Sequence, residues 1–180
     1  MSSACLRCVV DTNVAHAANG RADVTGACVA ECIKTLRRIM EEGHVFLDDW
    51  GLIFDEYRGK RPLSGQPGAG DMFVKWVHDH QYNPTRCTLV PITPKGTVPR
   101  GAPPTDFVEF PDDPELEGFH GKDRKFVAVA AAHPERPPIL EATDCKWWGW
   151  NNALKKCRIQ VEFLCPKEIA DKYKQKMGEM

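Results

Sequence analysis

Short apolar runs alternate along this chain with longer amphipathic segments, and several of the apolar runs stop at an acidic residue. The first run, Leu6 to Val10, ends at Asp11 and is typical of a buried strand. Between Thr25 and Glu42 apolar residues recur at helical spacing, and Gly43 ends that predicted helix. The rest of the pattern predicts strands at 44–47, 86–93, 138–143 and 158–164, and helices at 50–58, 71–80, 123–132, a segment ending at Lys156, and 166–176.

This alternation of strands and helices predicts an α/β fold, a three-layer α/β/α sandwich with a mostly parallel central sheet. A chain of 180 residues is long enough for one well-buried core, so we treat 1–180 as a single domain. Eight of the 14 prolines lie between Pro84 and Pro114. Long irregular connections are usually functional or mobile. We therefore predict a Pro-rich insertion at about 94–122 that flanks the functional crevice; the alternative is a disordered loop without a role.

Four acidic residues occupy positions where functional sites usually lie in proteins with a parallel sheet. Asp11 and Asp144 follow two of the predicted strands, and the carboxyl ends of parallel strands border the ligand-binding crevice. Glu56 falls on the apolar face of its helix, and Asp123 lies at the start of another. The four carboxylates are therefore expected to meet in one crevice.

Each acid also has an ordinary explanation. Asp11 and Asp123 could stabilise the start of a helix, and Glu56 could pair with Arg58 or Lys60. Four carboxylates in one crevice would repel one another and raise each other's pKa unless a cation lay between them.

Oxygen ligands without a nearby His or Cys favour Mg²⁺ or Mn²⁺ over Zn²⁺. Such an ion lowers the pKa of a bound water and orients a phosphodiester. Hydrolysis of a nucleic-acid backbone is therefore the leading chemistry. The formal net charge of −1 provides no overall attraction to nucleic acid, so binding must be local or carried by the metal ion.

The eight cysteines do not form a recognisable zinc motif. Cys5 and Cys8 make a C-x-x-C pair, and Cys28 and Cys32 lie four apart on a predicted helix, but no second close pair completes a four-thiolate site. We expect free, buried thiols in a reducing cytosol. No uncharged apolar run approaches the roughly 18 residues of a membrane helix, which also favours a cytoplasmic protein without membrane contact.

Together these segments resemble a PIN domain. The resemblance is carried by Val9-Val10-Asp11-Thr12-Asn13, by Glu56 in a helix, by the segment from Asp123 to Ala130, and by Ala142-Thr143-Asp144. It implies a metal-dependent nuclease in which Asp11, Glu56, Asp123 and Asp144 are the catalytic and metal-binding acids. The same resemblance assigns supporting roles to Asn13 and Thr143. Many small bacterial members of the family are toxins silenced by an antitoxin, and the Pro-rich insertion departs from the family pattern.

Basic and aromatic residues near the acids are candidates for substrate binding. Arg124 and Lys125 follow Asp123, although a helical wheel turns both away from its face, and Lys146 lies two residues after Asp144. The alternative is a solvated charged face. Further candidates are the basic clusters Arg58-Lys60-Arg61 and Lys155-Lys156-Arg158, and the base-stacking candidates Trp147, Trp148 and Trp150, of which at least one is expected in the core.

The sequence thus predicts an endoribonuclease that hydrolyses RNA with Mg²⁺ or Mn²⁺. The alternatives are a DNA or flap nuclease or a phosphatase on the same acidic scaffold, and a non-catalytic nucleic-acid-binding module. The partners to consider are RNA, an antitoxin protein and a second copy of the chain.

Overall fold

The computed structural model describes residues 6–20, 23–59 and 68–178. Three residues named above, Cys5, Lys60 and Arg61, lie outside these ranges. The strands are β1 (Arg7–Val10), β2 (His44–Asp48), β3 (Cys87–Val90), β4 (Ile139–Glu141) and β5 (Val161–Phe163). The helices are α1 (Thr12–Ala18), α2 (Gly26–Glu42), α3 (Leu52–Gly59), α4 (Ala69–His80), α5 (Arg124–Ala132), α6 (Cys145–Lys156) and α7 (Pro166–Gly178).

The five strands form one parallel sheet in the order β3-β2-β1-β4-β5, which confirms the predicted fold class. The central strand β1 pairs with β2 through Cys8 and Val45, and with β4 through Val10 and Leu140. The chain builds β2 and β3 on one side of β1 and then returns to build β4 and β5 on the other. The strand order therefore reverses between β1 and β4, and a crevice opens there beyond the carboxyl ends of the strands.

The helices cover both faces of the sheet. Right-handed crossovers place α1 to α4 on one face and α5 and α6 on the other. Accordingly, α1, α2 and α4 pack against one another, while α5 packs across β1, β2 and β4. All five residues of β2 are buried, as expected for a parallel strand covered on both sides. These layers confirm the predicted three-layer sandwich.

Several element boundaries differ from the predicted ones: the strand predicted at 86–93 ends at Val90, for example, and two other strands are shortened for local reasons. The last strand is shorter than 158–164 because Arg158 has a φ of 61°, in the tight turn that ends α6. The strand predicted at 138–143 stops at Glu141 because the backbone N–H of Ala142 donates to a side chain rather than to a neighbouring strand. Gly43 ends α2 as predicted, since a Cβ there would lie 2.7 Å from the Cα of Ile39.

The Pro-rich insertion is anchored to the domain. Pro94 and Phe107 form an isolated antiparallel bridge, and short 3₁₀ turns lie at Pro114–Leu116 and Gly121–Asp123. Four of its apolar side chains are buried in the main core: Phe107, Phe110, Leu116 and Phe119. The segment has little regular structure, as predicted, yet its position is fixed by core packing.

The cysteines correct one prediction. Cys28 in the first turn of α2 and Cys165 just before α7 form a disulfide across 137 residues of sequence, so these two are not free thiols. The cysteines outside this disulfide in the described ranges are Cys8, Cys32, Cys87, Cys145 and Cys157, and all but Cys157 are buried. The disulfide removes the basis for inferring a reducing cytosol from cysteine usage. Within the residues that the structure describes, no helix is long and apolar enough to cross a membrane.

Candidate metal centre

Asp11 lies at the bottom of the crevice, directly after β1. Its side chain is 5% exposed, and its Oδ1 accepts a hydrogen bond of 2.9 Å from the backbone N–H of Asn13 at the start of α1. The helix-capping explanation for Asp11 is therefore correct for one oxygen. A cap uses only one of the two carboxylate oxygens, so capping is compatible with metal binding.

Glu56 on α3 reaches the same crevice. Its Oε1 accepts a hydrogen bond of 2.7 Å from the hydroxyl of Thr12, the residue after Asp11. Its Oε2 accepts one of 2.5 Å from Nζ of Lys125 on α5. Glu56 is thus paired, but with a cation that lies 69 residues away in sequence rather than with a neighbour such as Arg58. The contacts join α1, α3 and α5 around one carboxylate.

Lys125 corrects the helical-wheel prediction that it turns away from the acids. The residue is 7% exposed, and its ammonium lies between Glu56 and the backbone carbonyl of Lys122, to which it also donates. Its Nζ lies 4.6 Å from the ring centroid of Phe126. Every residue of α5 from Lys125 to Ala130 is buried, so a side chain on the face away from Asp123 still lies inside the protein.

Asp123 precedes α5 and makes no side-chain capping bond to it, so helix capping does not account for this carboxylate. His120 Nδ1 lies 3.6 Å from its Oδ2. Burial raises the pKa of Asp123, and the negative charges of Asp144 and Glu56 raise it further. The side chain therefore lies within electrostatic reach of two other predicted acids.

Asp144 caps α6, and its Oδ1 accepts a hydrogen bond of 2.9 Å from the backbone N–H of Lys146. Its own backbone N–H donates to Oε1 of Glu141 at 3.0 Å. Asn13 connects this loop to α1, since its Nδ2 donates to Glu141 Oε1 and its Oδ1 accepts from the N–H of Ala142 at 2.9 Å. Asn13 therefore joins the carboxyl ends of β1 and β4, and its role in supporting a metal site stays a prediction.

Glu141 is the acid that the sequence prediction missed. It is fully buried at the end of β4, and its Oε1 accepts three hydrogen bonds, from Asn13, Ala142 and Asp144. Its Oε2 is buried and has no hydrogen-bond partner among the residues that the structure describes. An unpaired buried oxygen is unfavourable, so Glu141 adds a fifth carboxyl group that favours a cation nearby. The available signal was a carboxylate at the last position of a strand buried on both faces.

The crevice raises the pKa of its buried carboxyl groups. Burial raises the pKa of Asp11 to about 7, with further contributions from the charges of Asp123 and Glu56 and opposition from Lys125. Burial also raises the pKa of Glu141 well above its ordinary value, and the negative charges of Asp11 and Asp144 act in the same direction. These mutual effects show that the five acids share one electrostatic environment.

The five carboxyl groups do not form a closed coordination sphere. In the described part of the chain, the only three or more candidate ligand atoms that all lie within 4.8 Å of one another belong to Cys28, Cys32 and Cys165. The ammonium of Lys125, which is hydrogen-bonded to Glu56, provides a positive charge that lowers the pKa of Asp11 and of Asp123 and so partly opposes the effect of burial. The donor set, oxygen only and including the unpaired Glu141 Oε2, fits a hard divalent cation in its chemistry.

The remaining predicted residues occupy varied positions. Thr143 is half-buried, and its backbone N–H donates to Oδ1 of Asn13 at 3.4 Å. Lys146 is exposed beside Asp144. Arg124 holds the insertion: its guanidinium donates to Oδ1 of Asp106 at 2.9 Å and to the carbonyl oxygens of Glu117 and Phe119. Its role in substrate binding stays a prediction, but its contacts give it a structural one. Of the tryptophans, Trp147 is in the core, as expected for at least one of the three.

A cavity of about 400 Å³ adjoins the acids on the side of the insertion. Pro103, Pro104 and Leu52 provide apolar walls, while Glu56 and Lys125 lie at its inner side. The insertion therefore flanks the crevice, as the sequence predicts.

The raised pKa values predict that stability depends on pH. Between about pH 4 and pH 7 the folded protein binds more protons at Asp11 than the unfolded chain does, so this residue's contribution to stability falls as pH rises through that window. We expect Asp11→Asn to remove this loss, which amounts to roughly 1 kcal/mol per pH unit. Thermal unfolding with a chelator from pH 4 to pH 8 measures the difference.

In that experiment the melting temperature of Asp11→Asn should rise relative to that of wild type as pH increases. Each kcal/mol of difference in stability should shift it by about 2–4 °C. Adding Mn²⁺ at pH 7.5 should stabilise wild type more than the variant, because a cation favours the charged carboxylate. Parallel melting curves for the two proteins, with and without Mn²⁺, would contradict the electrostatic picture of this crevice.

Comparisons of this chain with models of protein families, with curated proteins and with solved structures each find no match.

Proposed function

We propose that this chain is a metal-dependent endoribonuclease of the PIN type. The observation that carries the proposal is the convergence of carboxyl groups from β4, α3 and the segments before α1, α5 and α6 on one crevice between β1 and β4. Hydrogen bonds through Thr12, Asn13 and Lys125 hold these elements together. Burying several acids in one crevice is unfavourable unless a cation binds there. Such a costly arrangement supports the proposal that the crevice is a functional site.

In this proposal Asp11, Asp123 and Asp144 hold Mg²⁺ or Mn²⁺, and Glu141 supports them from below. When bound, the cation lowers the pKa of a coordinated water and neutralises charge on the phosphodiester. The chain's own contribution is to fix the carboxylates: Asp11 and Asp144 are oriented by the helices that they cap. Glu141 fixes Asn13 and the backbone before Asp144 through its three accepted hydrogen bonds.

Glu56 is the residue that we propose to orient the attacking water. Both of its oxygens are held, by Thr12 and Lys125, so the carboxylate points in one direction. In-line attack of the water on phosphorus breaks the bond to the 3′ oxygen and leaves 5′-phosphate and 3′-hydroxyl ends. The ammonium of Lys125 is paired with Glu56, and we propose that it also attracts a substrate phosphate.

The cavity beside Glu56 favours a substrate that has an unpaired base, because such a base could enter the cavity. Its apolar walls, Pro103, Pro104 and Leu52, can pack against the face of a base. A base held in this cavity would lie next to Glu56 and Lys125, the two residues of the proposed site that line it. The preference for RNA over DNA rests on the resemblance to PIN domains.

The test is a cleavage assay with a substrate panel. Purified protein is incubated with single-stranded RNA, single-stranded DNA, flap DNA and a phosphomonoester, each with Mn²⁺ or with EDTA. We expect RNA cleavage that requires Mn²⁺ and yields 5′-phosphate ends. Cleavage of DNA alone would favour the flap-nuclease alternative, and hydrolysis of the monoester alone would favour the phosphatase. RNA binding without cleavage under any of these conditions would favour the non-catalytic module.

A further inference from the structure

A cluster of three sulfur atoms lies away from the nuclease proposal and is not used by it. Cys28 and Cys32 are one turn apart on the same face of α2, and Cys165 comes from the segment between β5 and α7. Their Sγ atoms all lie within 4.8 Å of one another, and all three residues are buried. Three sulfurs meeting from two distant parts of the chain are more than the disulfide between Cys28 and Cys165 requires.

The separation of these atoms suits a thiolate metal site. Zinc binds Cys sulfur at about 2.3 Å in a tetrahedron, which places ligand sulfurs about 3.8 Å apart. A trio within 4.8 Å meets this requirement with small side-chain movements. The spacing Cys-x-x-x-Cys on one helix also resembles the close ligand pairs of structural zinc sites.

A fourth ligand position is available beside the sulfurs. A cavity of about 340 Å³ is lined by Cys28 and Cys165 together with the carboxylates of Glu31 and Glu168. Glu168 is already oriented there, because it accepts hydrogen bonds from the backbone N–H and the hydroxyl of Thr25 at 3.1 Å and 2.9 Å. A carboxylate or a water can therefore complete four-coordination.

We propose that Cys28, Cys32 and Cys165 in their reduced state bind one Zn²⁺, and that the Cys28–Cys165 disulfide is the oxidised state of the same site. Zinc holds these sulfurs as thiolates, so forming the disulfide from Cys28 and Cys165 releases two electrons and no protons. An oxidised small-molecule disulfide takes up the two electrons, together with two protons from the solvent, as it becomes two thiols. The zinc ion leaves because two of its three sulfur ligands are now bonded to each other.

The charges around Cys32 favour a cation. Burial raises the pKa of the Cys32 thiol to about 12, and the nearby carboxylates of Glu31, Glu141 and Glu168 raise it further. Lys34 pairs with Glu31 and Lys172 pairs with Glu168, so among the residues that the structure describes Glu141 is the carboxylate of the three without a lysine partner. A divalent cation that binds the sulfurs would deprotonate the Cys32 thiol. The sulfur ligands select a soft cation such as zinc, whereas the acidic crevice selects a hard one.

The test measures metal binding to the reduced chain. Protein reduced without oxygen and freed of metal is titrated with Co²⁺ and then with Zn²⁺ in competition with a chromophoric chelator. We expect one Co²⁺ per chain with a thiolate-to-cobalt absorption band, displacement by Zn²⁺ at one equivalent, and no displacement by excess Mg²⁺. Oxidised protein should show no such band.

Variants identify the ligands. Cys32→Ala should lose the thiolate band and bind Zn²⁺ at least 10-fold more weakly, whereas Cys157→Ala, which changes a free cysteine outside the cluster, should behave as wild type. A folded, reduced wild type without the thiolate band, or a Cys32→Ala variant that binds as wild type does, would overturn the proposal.

Should Cys32→Ala fail to fold, alkylation of wild type decides the question. Zinc is expected to slow alkylation of all three cysteines at least 10-fold and to leave Cys157 unaffected. Equal rates with and without zinc would refute the site. None of these measurements uses RNA cleavage, so their outcome is independent of the proposed nuclease activity.

Discussion

Asp144→Asn is expected to reduce Mn²⁺-dependent RNA cleavage by about 10²-fold or more while leaving the protein folded. Asn is as good a helix cap as Asp, so the hydrogen bond from the N–H of Lys146 and the start of α6 are retained. What the substitution removes is the negative charge that a cation requires. Initial rates at several Mn²⁺ concentrations, with melting temperature measured in parallel, check both parts.

The informative control is Asp144→Ala, which removes the cap as well as the charge. We expect it to be as inactive as Asp144→Asn but about 1 kcal/mol less stable. If Asp144→Asn were fully active, the carboxylate would serve only as a helix cap, and the proposed metal centre would lose one of its ligands.

Glu141→Ala is expected to lower the free energy of unfolding by about 3 kcal/mol or more. The substitution leaves two donors without their acceptor, Asn13 Nδ2 and the backbone N–H of Asp144, whereas the N–H of Ala142 keeps its hydrogen bond to Asn13 Oδ1. Each buried group that loses its partner costs about 1–3 kcal/mol. For a chain of this size the melting temperature should fall by roughly 6–12 °C.

Glu141→Gln is the matched control because its side-chain oxygen can accept the same hydrogen bonds. It should retain most of the stability that Glu141→Ala loses, as measured by urea unfolding. Equal losses in the two variants would mean that the charge of Glu141, rather than its role as an acceptor, stabilises the loop between β4 and α6.

The layered fold was predictable because its signal is local. Buried parallel strands produce uninterrupted apolar runs such as Leu6 to Val10, and α2 carries a regular helical pattern with Thr25 before it and Gly43 after it. The positions of Asp11 and Asp144 were predictable for the same reason, since Asp11 directly follows β1 and Asp144 lies three residues after the end of β4. The alternating order of strands and helices then predicted a parallel sheet, in which the carboxyl ends of the strands lie along the same edge.

The contacts between distant residues could not be predicted from these patterns. The pairing of Glu56 with Lys125 joins two helices, and nothing near either residue in sequence indicates its partner. Glu141 was overlooked because a single acid in a short strand looks like an exposed edge position unless the burial of both faces is known. The Cys28–Cys165 disulfide has the same character, since its two halves belong to separate predicted elements.

The hydrogen bonds that Arg124 donates to the insertion limit how this segment can be altered by mutation. Arg124 adjoins Asp123, and its guanidinium carbon lies 4.4 Å from the ring centroid of Phe110 while its nitrogens hold Asp106 and two backbone carbonyls. Shortening or exchanging this segment would therefore shift Asp123, a proposed metal ligand, unless the replacement segment provides its own acceptors for Arg124. The insertion and the segment that carries Asp123 and Arg124 would therefore have to be redesigned together.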